Sequence, residues 1–400
     1  MPDAPLILVI NSGSSSLKFA VKRAHKTLAT GVAERLGSPQ ATLESKVDGK
    51  EGTTPIPDAD HTAALRAVTS LLGESLKPTA IGHRVVHGGE FFAEPALIDA
   101  DVLARINSLS RLAPLHNPAA ATGIRTTLEL FPGIPQVAVF DTAFHQTIPA
   151  RAHLYAIPYD LYEAHAIRRY GFHGTSHHYV SLRAAAILGT PPNQVSLLTV
   201  HLGNGCSATA IRHGESVDTT MGLTPLEGLV MGTRSGDVDP NLHQFLAENT
   251  GLDLPEITNL LNKESGLLGL SGLSNDLRTL SQAAEEGNTR AALAIDVFCY
   301  RLAKSLLGLS ASLDRIDAIV FTGGIGENSV LVREKTTAHL AILGAKIDAN
   351  RNLAHGRDSD HRISPENANP PLLVIHTDEE GMIAQAAVDL LAARKSISHS

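Results

Sequence analysis

Short apolar runs alternate with longer amphipathic stretches along the whole chain, and this alternation limits the possible fold more than any other feature. The runs are rich in Val, Ile and Leu and are bounded by Gly, Pro, Asn or Asp, as buried strands are. Helical spacing or helix-start residues mark the stretches between them. The pattern predicts an α/β fold. The predicted strands are residues 6–10, 81–86, 136–140, 196–201, 318–321 and 372–375, and the predicted helices lie near 60–76, after 117–118, and near 288–313, 329–343 and 379–393.

Size and composition narrow the class of protein. The chain has 400 residues, which predicts two or three domains at about 150 residues each. Its net charge of −8 argues against a broad surface for nucleic acid or anionic membranes. Two cysteines cannot build a disulfide framework and fit a reducing cytoplasm. With no export signal and no apolar run near the roughly 20 residues that span a bilayer, we expect a cytoplasmic protein without membrane or nucleic-acid partners.

One weak internal repeat consists of a strand, a glycine turn and a second strand. The first copy starts at Val9 and turns at Gly13, and the second starts at Thr199 and turns at Gly203 and Gly205. Because the copies are separated by about half of the chain, the repeat predicts a duplicated domain with a ligand in the cleft between the copies.

Three glycine-rich turns follow predicted strands, at residues 11–18, 201–205 and 321–328. Small side chains let backbone N–H groups face an anion, Gly13 permits a positive φ, and Lys18 adds a charge for phosphate. The third turn opens a helix, whose N-terminus attracts anions. Each turn alone could be an ordinary connection, but three together favour a nucleotide. The sequence has neither the phosphate-loop motif nor a dinucleotide fingerprint with its acidic residue, so those two folds are disfavoured.

Two arginines and one aspartate are candidates for binding an anion. Arg84 and Arg234 lie among small residues, where a guanidinium can grip carboxylate or phosphate through two parallel hydrogen bonds. Each could instead pair with a local carboxylate, such as Glu90 or Asp237. Asp141 follows a strand, where open α/β sheets bind ligands, although it could also cap a turn.

Residues 170–178 contain His173, His177 and His178, which raises the question of zinc. The intervening glutamate of H-E-x-x-H is missing, so a transition-metal site is disfavoured. We expect one histidine to donate a hydrogen bond to a phosphoryl group, and Thr175 or Ser176 to cap the helix that follows. His145 is interpreted as a structural histidine. The clusters at 275–278 and 377–380 are interpreted as solvated loops, with a magnesium or ribose contact as the alternative.

In this order the segments resemble the acetate kinase family, which belongs to a superfamily with sugar kinases, chaperones and actin. The segment 218–228 (DTTMGLTPLEG) is too long and specific for a chance match. Three residues depart from the usual family pattern. Ser12 replaces Ala or Cys, Gly323 replaces Ala, and Asp378 replaces Asn. All three lie beside the functional positions and not at them. The matching stretches are 11–19, 83–89, 114–118, 140–149, 169–177, 201–207, 218–240, 264–278, 321–329 and 377–380.

The resemblance implies two domains that share a duplicated actin-like, ribonuclease H-like core, with the active site in the cleft between them. One would be an N-terminal acetokinase domain of residues 1–150 plus 381–400, and the other a C-terminal nucleotide-binding domain of residues 151–380. The implied activity is the reversible transfer of the γ-phosphoryl group of ATP to acetate, giving acetyl phosphate and ADP. Mg²⁺, or Mn²⁺ in its place, is the implied metal, and a homodimer is the implied assembly.

The resemblance also implies roles for individual residues. Asn11 and Glu379 would help to hold Mg²⁺. Arg84 and Arg234 would grip acetate and the moving phosphoryl group, with Asp141 as the catalytic acid residue and His173 stabilising the transition state. The residues implied to bind ATP are Lys18, His201, Leu202, Gly203, Asn204, Gly205, Asp276, Leu277, Arg278, Gly324, Ile325, Gly326, Glu327 and Asn328. The residues implied to form the acetate pocket, with Arg84, are Val86, Leu115, Phe172 and Pro225.

The charges of the substrates constrain the chemistry of the implied reaction. A carboxylic acid is ionised at neutral pH and needs no general base, so phosphoryl transfer depends on positioning and on cations around the phosphoryl oxygens. We expect direct in-line transfer, with Asp141 orienting Mg²⁺ or a water. The nearest alternative is a propionate or butyrate kinase, decided by the pocket around Val86 and Pro225. More remote alternatives are an actin-like ATPase or chaperone of the same superfamily and a histidine-based metalloenzyme.

Overall fold

The structure is a computed structural model that describes residues 4–114 and 116–397. Leu115, predicted for the acetate pocket, lies outside the described residues. The chain forms two compact units. Unit 1 comprises Met1–Phe144 and Asp378–Ser400, and unit 2 comprises His145–Thr377.

Strands and helices alternate along the chain as the sequence predicts. The strands are β1 (Leu6–Ser12), β2 (Ser16–Arg23), β3 (Lys26–Glu34), β4 (Thr42–Val47), β5 (Lys50–Pro55), β6 (Ala80–Val85), β7 (Ala96–Leu97), β8 (Gln136–Phe140), β9 (Leu197–Leu202), β10 (Cys206–Arg212), β11 (Glu215–Thr219), β12 (Ala318–Thr322) and β13 (Leu372–Val374). The α-helices are α1 (His61–Leu72), α2 (Ala100–Ser108), α3 (Asn117–Leu130), α4 (Ala150–His153), α5 (Tyr159–His165), α6 (Gly174–Ile187), α7 (Leu242–Thr250), α8 (Leu254–Lys263), α9 (Gly266–Ser271), α10 (Leu277–Glu285), α11 (Thr289–Ser310), α12 (Gly323–Asn328), α13 (Val330–Ala338), α14 (Ala349–Leu353) and α15 (Glu379–Ile397). Short 3₁₀ helices lie at Leu109–Arg111, Ala143–Thr147, Pro192–Gln194 and Ala341–Leu343.

The sheet of unit 1 has the strand order β5-β4-β3-β2-β1-β6-β8-β7. Strands β1 to β5 form an antiparallel meander, whereas β6 is parallel to both β1 and β8. Because side chains alternate along a strand, β1 supplies two cores. Leu8 and Ile10 pack in the cluster that contains residues of α1, and Ile7 and Val9 pack with residues of α15. Burial on both faces explains why β1 is a continuous apolar run.

The sheet of unit 2 has the strand order β11-β10-β9-β12-β13. Strand β10 is antiparallel to β11 and β9, and β12 is parallel to β9 and β13. Every residue of β9, β12 and β13 is buried. Helices α6 and α11 both pack against β9.

The two sheets share one five-stranded pattern. Strands β3-β2-β1-β6-β8 of unit 1 and β11-β10-β9-β12-β13 of unit 2 have the same order and the same sequence of antiparallel and parallel pairings. The weak repeat therefore marks a duplicated core, as the sequence predicted.

All six predicted strands are present with ends within two residues of the prediction. The first helix ends four residues earlier than predicted, at Leu72, because Gly73 adopts φ 55° and closes the helix by donating its N–H to the Thr69 carbonyl. The predicted helix over 329–343 divides into α13 and a 3₁₀ turn. In the part of the chain that the structure covers, no helix combines the length and apolarity needed to cross a bilayer.

Candidate active site

The sheet of unit 1 gathers predicted site residues at one edge. Strands β1, β6 and β8 are parallel, so their carboxyl ends lie at the same side. Asn11 lies near the end of β1, Arg84 near the end of β6, and Asp141 directly after β8. Lys18 is the cross-strand partner of Asn11 on β2. Glu379 is the first residue of α15, which packs against β1 and β6.

Arg84 and Asp141 form a bidentate ion pair. Nε donates to Oδ1 over 3.0 Å and Nη2 donates to Oδ2 over 2.5 Å, and Asp141 is only 1% exposed. Burial raises the pKa of Asp141, and the charge of Arg84 opposes this rise. Burial alone would lower the pKa of Arg84, but the charges of Asp141 and Glu379 outweigh it and raise the pKa above its ordinary value. The guanidinium therefore stays charged, with its orientation set by a carboxylate 57 residues away and not by the local pair with Glu90 that the sequence allowed.

Glu379 fits a cation site. Its Oε1 atom is buried and has no hydrogen-bond partner within the described residues. Burial raises the pKa of Glu379, as does the charge of Glu380, while Arg84 and Lys18 act in the opposite direction. A buried carboxylate oxygen without a donor is costly, and carboxylate and amide oxygens are ligands that Mg²⁺ accepts. The donor set of Glu379 and Asn11 is thus chemically suited to a divalent metal.

The start of α15 is held by an ion pair that the sequence did not reveal. Lys22, only 7% exposed in its side chain, donates to both carboxylate oxygens of Asp378 over 2.5 and 2.8 Å. Asp378 in turn accepts the N–H of Gly381 over 2.8 Å. A buried lysine is rare without a partner, but its partner lies 356 residues away, so no local pattern could identify it. The pair fixes the backbone immediately before Glu379.

The three glycine turns differ from one another in their backbone conformation and hydrogen bonds. The N–H of Gly13 donates to the Ser16 carbonyl and that of Gly203 to the Gly205 carbonyl, over 2.8 and 3.0 Å. Gly13 and Gly203 do not adopt positive φ, whereas Gly323 does, at 76°. Gly13 therefore does not use the positive φ that the sequence allowed, and its N–H closes its own turn.

The turn at 201–205 contacts the polar cluster at 275–278. Asn275 donates to the side-chain oxygen of Asn204 over 3.3 Å, and the Asn204 carbonyl accepts the N–H of Gly232. Asp276 caps α10 and pairs with the exposed Arg278 at 2.6 Å. The hydrogen bond from Arg278 lowers the pKa of Asp276 to about 2. The structure thus joins two of the segments predicted to bind ATP.

The third glycine turn forms helix α12, and side chains make hydrogen bonds to its backbone at both ends. The Glu327 carboxylate accepts the N–H groups of Gly323 and Thr377 over 3.0 and 3.2 Å. Arg333, fully buried, donates to the carbonyls of Gly326 and Glu327, both over 2.9 Å. The carboxylate of Glu327 therefore already accepts hydrogen bonds from the protein backbone. The sequence did not predict the role of Arg333, because nothing in the local pattern distinguishes a buried arginine in a helix from an exposed one.

His173 is the N-cap residue of helix α6 and adopts a left-handed conformation, with φ 55°. Its Nδ1 lies 2.9 Å from the Ser207 hydroxyl, and its ring stacks on His201 with centroids 4.3 Å apart. The helix has no side-chain cap, and the Ser176 hydroxyl instead lies 2.8 Å from Nδ1 of His201. The prediction that Thr175 or Ser176 caps this helix is therefore wrong.

Two further histidines are buried beside this pair. His145 contacts the Ser216 hydroxyl and the Phe172 carbonyl, and burial lowers its pKa to about 4. Burial lowers the pKa of His177 well below its ordinary value. Within the described ranges, no group of three or more His, Cys, Asp or Glu side chains is arranged to hold a metal. Hydroxyl and carbonyl groups surround these rings.

Arg234 contrasts with Arg84 because, among the described residues, it has no ion-pair partner. Nη1 donates weakly to the Pro225 carbonyl over 3.3 Å, and burial lowers the pKa of the guanidinium. The local pair with Asp237 that the sequence allowed does not form, since Asp237 accepts the N–H of Gly228. A Cβ built on Gly205 would lie 3.5 Å from Nη1 of Arg234. A half-buried cation beside a glycine turn is suited to an anion.

Comparison with known proteins places this geometry in a family. The chain matches the profile of the Acetokinase family over residues 6–385. It belongs to that family. Acetate kinase from Stutzerimonas stutzeri (strain A1501) is 53% identical over 391 residues, which covers 97% of this chain and 99% of that protein. Acetate kinase from Pseudomonas aeruginosa (strain LESB58) is 54% identical over 389 residues, which covers 96% and 98% of the two chains.

Solved structures of this family have the same fold. A propionate kinase from Francisella tularensis subsp. tularensis SCHU S4 superposes with a TM-score of 0.92 at 46% identity, covering 96% of this chain and 99% of that one. Porphyromonas gingivalis acetate kinase gives a TM-score of 0.90 at 41% identity, covering 97% and 100%. The predicted α/β class with a duplicated actin-like core is therefore confirmed.

The residues predicted for an acetokinase site are divided between the two units. Unit 1 holds the predicted metal ligands, Lys18, Arg84, Asp141 and the half-buried Val86. Unit 2 holds the remaining residues predicted for ATP, together with His173, Arg234, the buried Phe172 and the half-buried Pro225.

Proposed function

We propose that the chain catalyses the reversible transfer of the γ-phosphoryl group of ATP to acetate, with Mg²⁺, giving acetyl phosphate and ADP. The observation that carries this proposal is the match over 97% of the chain to a protein named acetate kinase. Mn²⁺ is proposed as a substitute for Mg²⁺.

Unit 1 is proposed to supply the metal ligands and one guanidinium. Asn11 and Glu379 would hold Mg²⁺, and the orphaned Oε1 of Glu379 supports this assignment. When bound, the metal would neutralise charge on the phosphate oxygens. Arg84, oriented by Asp141, would bind the acetate carboxylate. Asp141 is in turn proposed to orient the metal or a water rather than to accept a proton from a substrate that is already ionised.

Unit 2 is proposed to bind the nucleotide and to stabilise the transfer. Arg234 carries a positive charge that no protein carboxylate in the described chain balances, which suits a phosphoryl group. His173 would donate a hydrogen bond to the same group. The residues proposed to bind ATP are Lys18, from unit 1, with His201, Leu202, Gly203, Asn204, Gly205, Asp276, Leu277, Arg278, Gly324, Ile325, Gly326, Glu327 and Asn328.

The reaction is proposed to be a direct displacement. An acetate oxygen forms a bond to the γ-phosphorus as the bond from that phosphorus to the bridging oxygen of ADP breaks, and no proton needs to move. The protein has to bring two anions together, so positioned cations supply most of the rate. Val86, Leu115, Phe172 and Pro225 are proposed to enclose the acetate methyl group.

A hydroxamate assay tests the proposed activity. Purified chain with ATP, MgCl₂, acetate and hydroxylamine should form acetyl hydroxamate, and Arg84→Ala should reduce the product to the level without enzyme. Absence of hydroxamate with acetate, propionate and butyrate alike would overturn the proposal.

A propionate kinase is the second candidate, because a structure of that name superposes with a TM-score of 0.92. Comparing kcat/KM for acetate, propionate and butyrate decides between the two, with a higher value for propionate favouring the alternative. One methylene group in an apolar pocket changes this ratio by roughly 10-fold or more.

Three further assignments complete the proposal. The N-terminal domain is proposed to comprise residues 1–150 and 381–400, and the nucleotide-binding domain residues 151–380. The protein is proposed to act in the cytoplasm as a homodimer.

A further inference from the structure

A buried chain of hydrogen bonds lies behind His173. The Ser207 hydroxyl lies 2.9 Å from Nδ1 of His173 and 2.7 Å from Nε2 of His177. On the far side of His177, its Nδ1 lies 2.8 Å from the Thr199 hydroxyl. Ser207, His177 and Thr199 are all 0% exposed and belong to β10, α6 and β9. Their order is therefore Thr199, His177, Ser207 and His173.

The proton positions in this chain depend on one another. His177 is neutral at ordinary pH, because burial and the neighbouring His145 and His201 hold its pKa far below the usual value. A neutral imidazole has one N–H donor and one acceptor nitrogen, and a hydroxyl donates a single hydrogen. Either every hydrogen points from Thr199 towards His173, or every hydrogen points the opposite way.

The distances select the direction. If hydrogens point towards His173, Thr199 donates to His177 over 2.8 Å. If they point away, His177 donates to Thr199, and the Thr199 hydrogen must turn to the Thr209 carbonyl, 3.5 Å away. That distance is at the limit of a hydrogen bond, and a buried hydroxyl hydrogen without a good acceptor is costly. The direction towards His173 is therefore favoured.

We infer that Ser207 is a positioning residue, which donates its hydroxyl hydrogen to Nδ1 of His173 and thereby keeps the proton of the neutral ring on Nε2. This inference rests on the proposed function, in which His173 donates a hydrogen bond to the transferring phosphoryl group. A Cβ built on Gly205 would lie 3.4 Å from Nε2 of His173 and 3.5 Å from Nη1 of Arg234, so this nitrogen faces the same glycine turn as the arginine. With its proton on Nε2, the neutral ring of His173 can donate a hydrogen bond without adding a second positive charge beside Arg234.

Other titratable groups surround His173. His201 stacks on its ring at 4.3 Å, Arg234 lies on the Gly205 side, and His177 lies behind Ser207 with His145 beyond it. Cys206 lies beside Ser207 at the start of β10, and burial raises its pKa to about 12, so it is a neutral thiol.

The direct test is ring-nitrogen NMR on protein labelled with ¹⁵N-histidine and without substrates, with His173→Gln used to assign the signals. The wild type should show His173 protonated at Nε2 and accepting a hydrogen bond at Nδ1. Ser207→Ala should abolish that pattern. The matched control is Ser216→Ala, because the Ser216 hydroxyl is also 0% exposed and lies 2.8 Å from the buried His145, and it should leave His173 unchanged. A wild-type His173 protonated at Nδ1 would overturn the inference, even if Ser207→Ala did not fold.

Kinetics give a second, independent test. In Ser207→Ala the neutral ring is free to carry its proton on Nδ1, so kcat should fall by about tenfold at about pH 8. Lowering the pH to about 6 should restore kcat, because an imidazolium donates from Nε2 in either case. Wild type and Ser216→Ala should lack this recovery. An equal loss at every pH would mean that Ser207 has only a structural role. Because the NMR pattern is measured without catalysis, it can support the inference even if the proposed activity is not found.

Discussion

The two units have the same five-stranded core but place different chemistry at its strand ends. In unit 1 the residues are charged and paired, with Arg84 bound to Asp141 and Lys22 bound to Asp378. In unit 2 the corresponding region holds histidines, hydroxyl groups and glycine turns, and its Arg234 has no carboxylate partner in the described chain. A duplicated framework therefore leaves the side chains after each strand free to diverge.

The two units differ in whether a buried or half-buried arginine has a carboxylate partner. A buried ion pair such as Arg84–Asp141 holds a guanidinium rigidly but needs both members, since removing one leaves an uncompensated charge. Partial burial of an unpaired cation such as Arg234 destabilises the free protein, because the charge loses part of its hydration. A bound anion would offset that cost. We therefore expect similar losses of activity but different losses of stability when the two arginines are removed.

The largest expected effect is on catalysis in the two arginine variants. Arg84→Ala and Arg234→Ala should each lower kcat by about 10³-fold, because each charge acts mainly in the transition state. Arg84→Ala should also lose about 3 kcal/mol of stability, since Asp141 remains buried without its partner. Arg234→Ala should change stability by less than about 1 kcal/mol. Urea unfolding and steady-state kinetics on both variants measure this, and equal destabilisation would remove the contrast between the units.

Asp141→Asn should act through the metal. Replacing a carboxylate that supports a metal site commonly weakens metal binding by about 10-fold to 100-fold. The Mg²⁺ concentration for half-maximal rate should therefore rise by about that factor, and excess Mg²⁺ should recover part of the activity. Lost activity with an unchanged Mg²⁺ dependence would contradict the metal role and would leave two others for Asp141, proton transfer or the orientation of Arg84.

The Lys22–Asp378 pair offers a double-mutant cycle within unit 1. Lys22→Met should cost about 1 kcal/mol, because the Asp378 carboxylate loses its cation, although water still reaches its 38% exposed side chain. Asp378→Asn completes the cycle, and the double variant Lys22→Met, Asp378→Asn should lose about 0.5 kcal/mol less than the sum of the two single variants. The exposed pair of Lys46 and Glu51 is the control, and Lys46→Met should change stability by less than about 0.5 kcal/mol. Additive losses in thermal or urea unfolding would show that Lys22 and Asp378 are not coupled.

The last expected effect is an acid sensitivity that both units share and that develops only as the pH falls. Burial lowers the pKa of His83 in unit 1 and of His145 in unit 2 from 6.5 to about 4. The unfolded chain binds these protons first, so their stability contribution is complete above pH 6.5 and is lost as the pH falls towards 4. Each can contribute up to about 1.4 kcal/mol per pH unit in that window.

Unfolding free energies at about pH 7 and about pH 5 test this point. His83→Gln and His145→Gln should each lose less stability on acidification than the wild type. His25→Gln is the control, because His25 is exposed. If His83→Gln kept the wild-type slope, the acid sensitivity of unit 1 would have to come from other groups.

Apolar runs buried on both faces were predictable, and hairpins at the surface were not. Strands such as β1 and β12 contain unbroken apolar runs because both faces of each strand are covered. Strand β5 is exposed at every residue, so it has no apolar pattern to detect. The same limit applies to the site. Arg84 and Asp141 lie next to predictable strands, whereas Lys22, Ser207 and Arg333 act through partners that are distant in sequence or unmarked by any pattern.

By itself the sequence determined the alternation of strands and helices, the duplicated core, the family and the positions of the glycine turns, because each depends on local spacing or on a long motif. Only the tertiary structure decided which charges meet. It paired Lys22 with Asp378 and left Arg234 without a carboxylate, and it aligned Thr199, His177 and Ser207 behind His173. The physical reason is that burial and hydrogen bonding depend on distances in space, and the chain brings these groups together only when its strands pair.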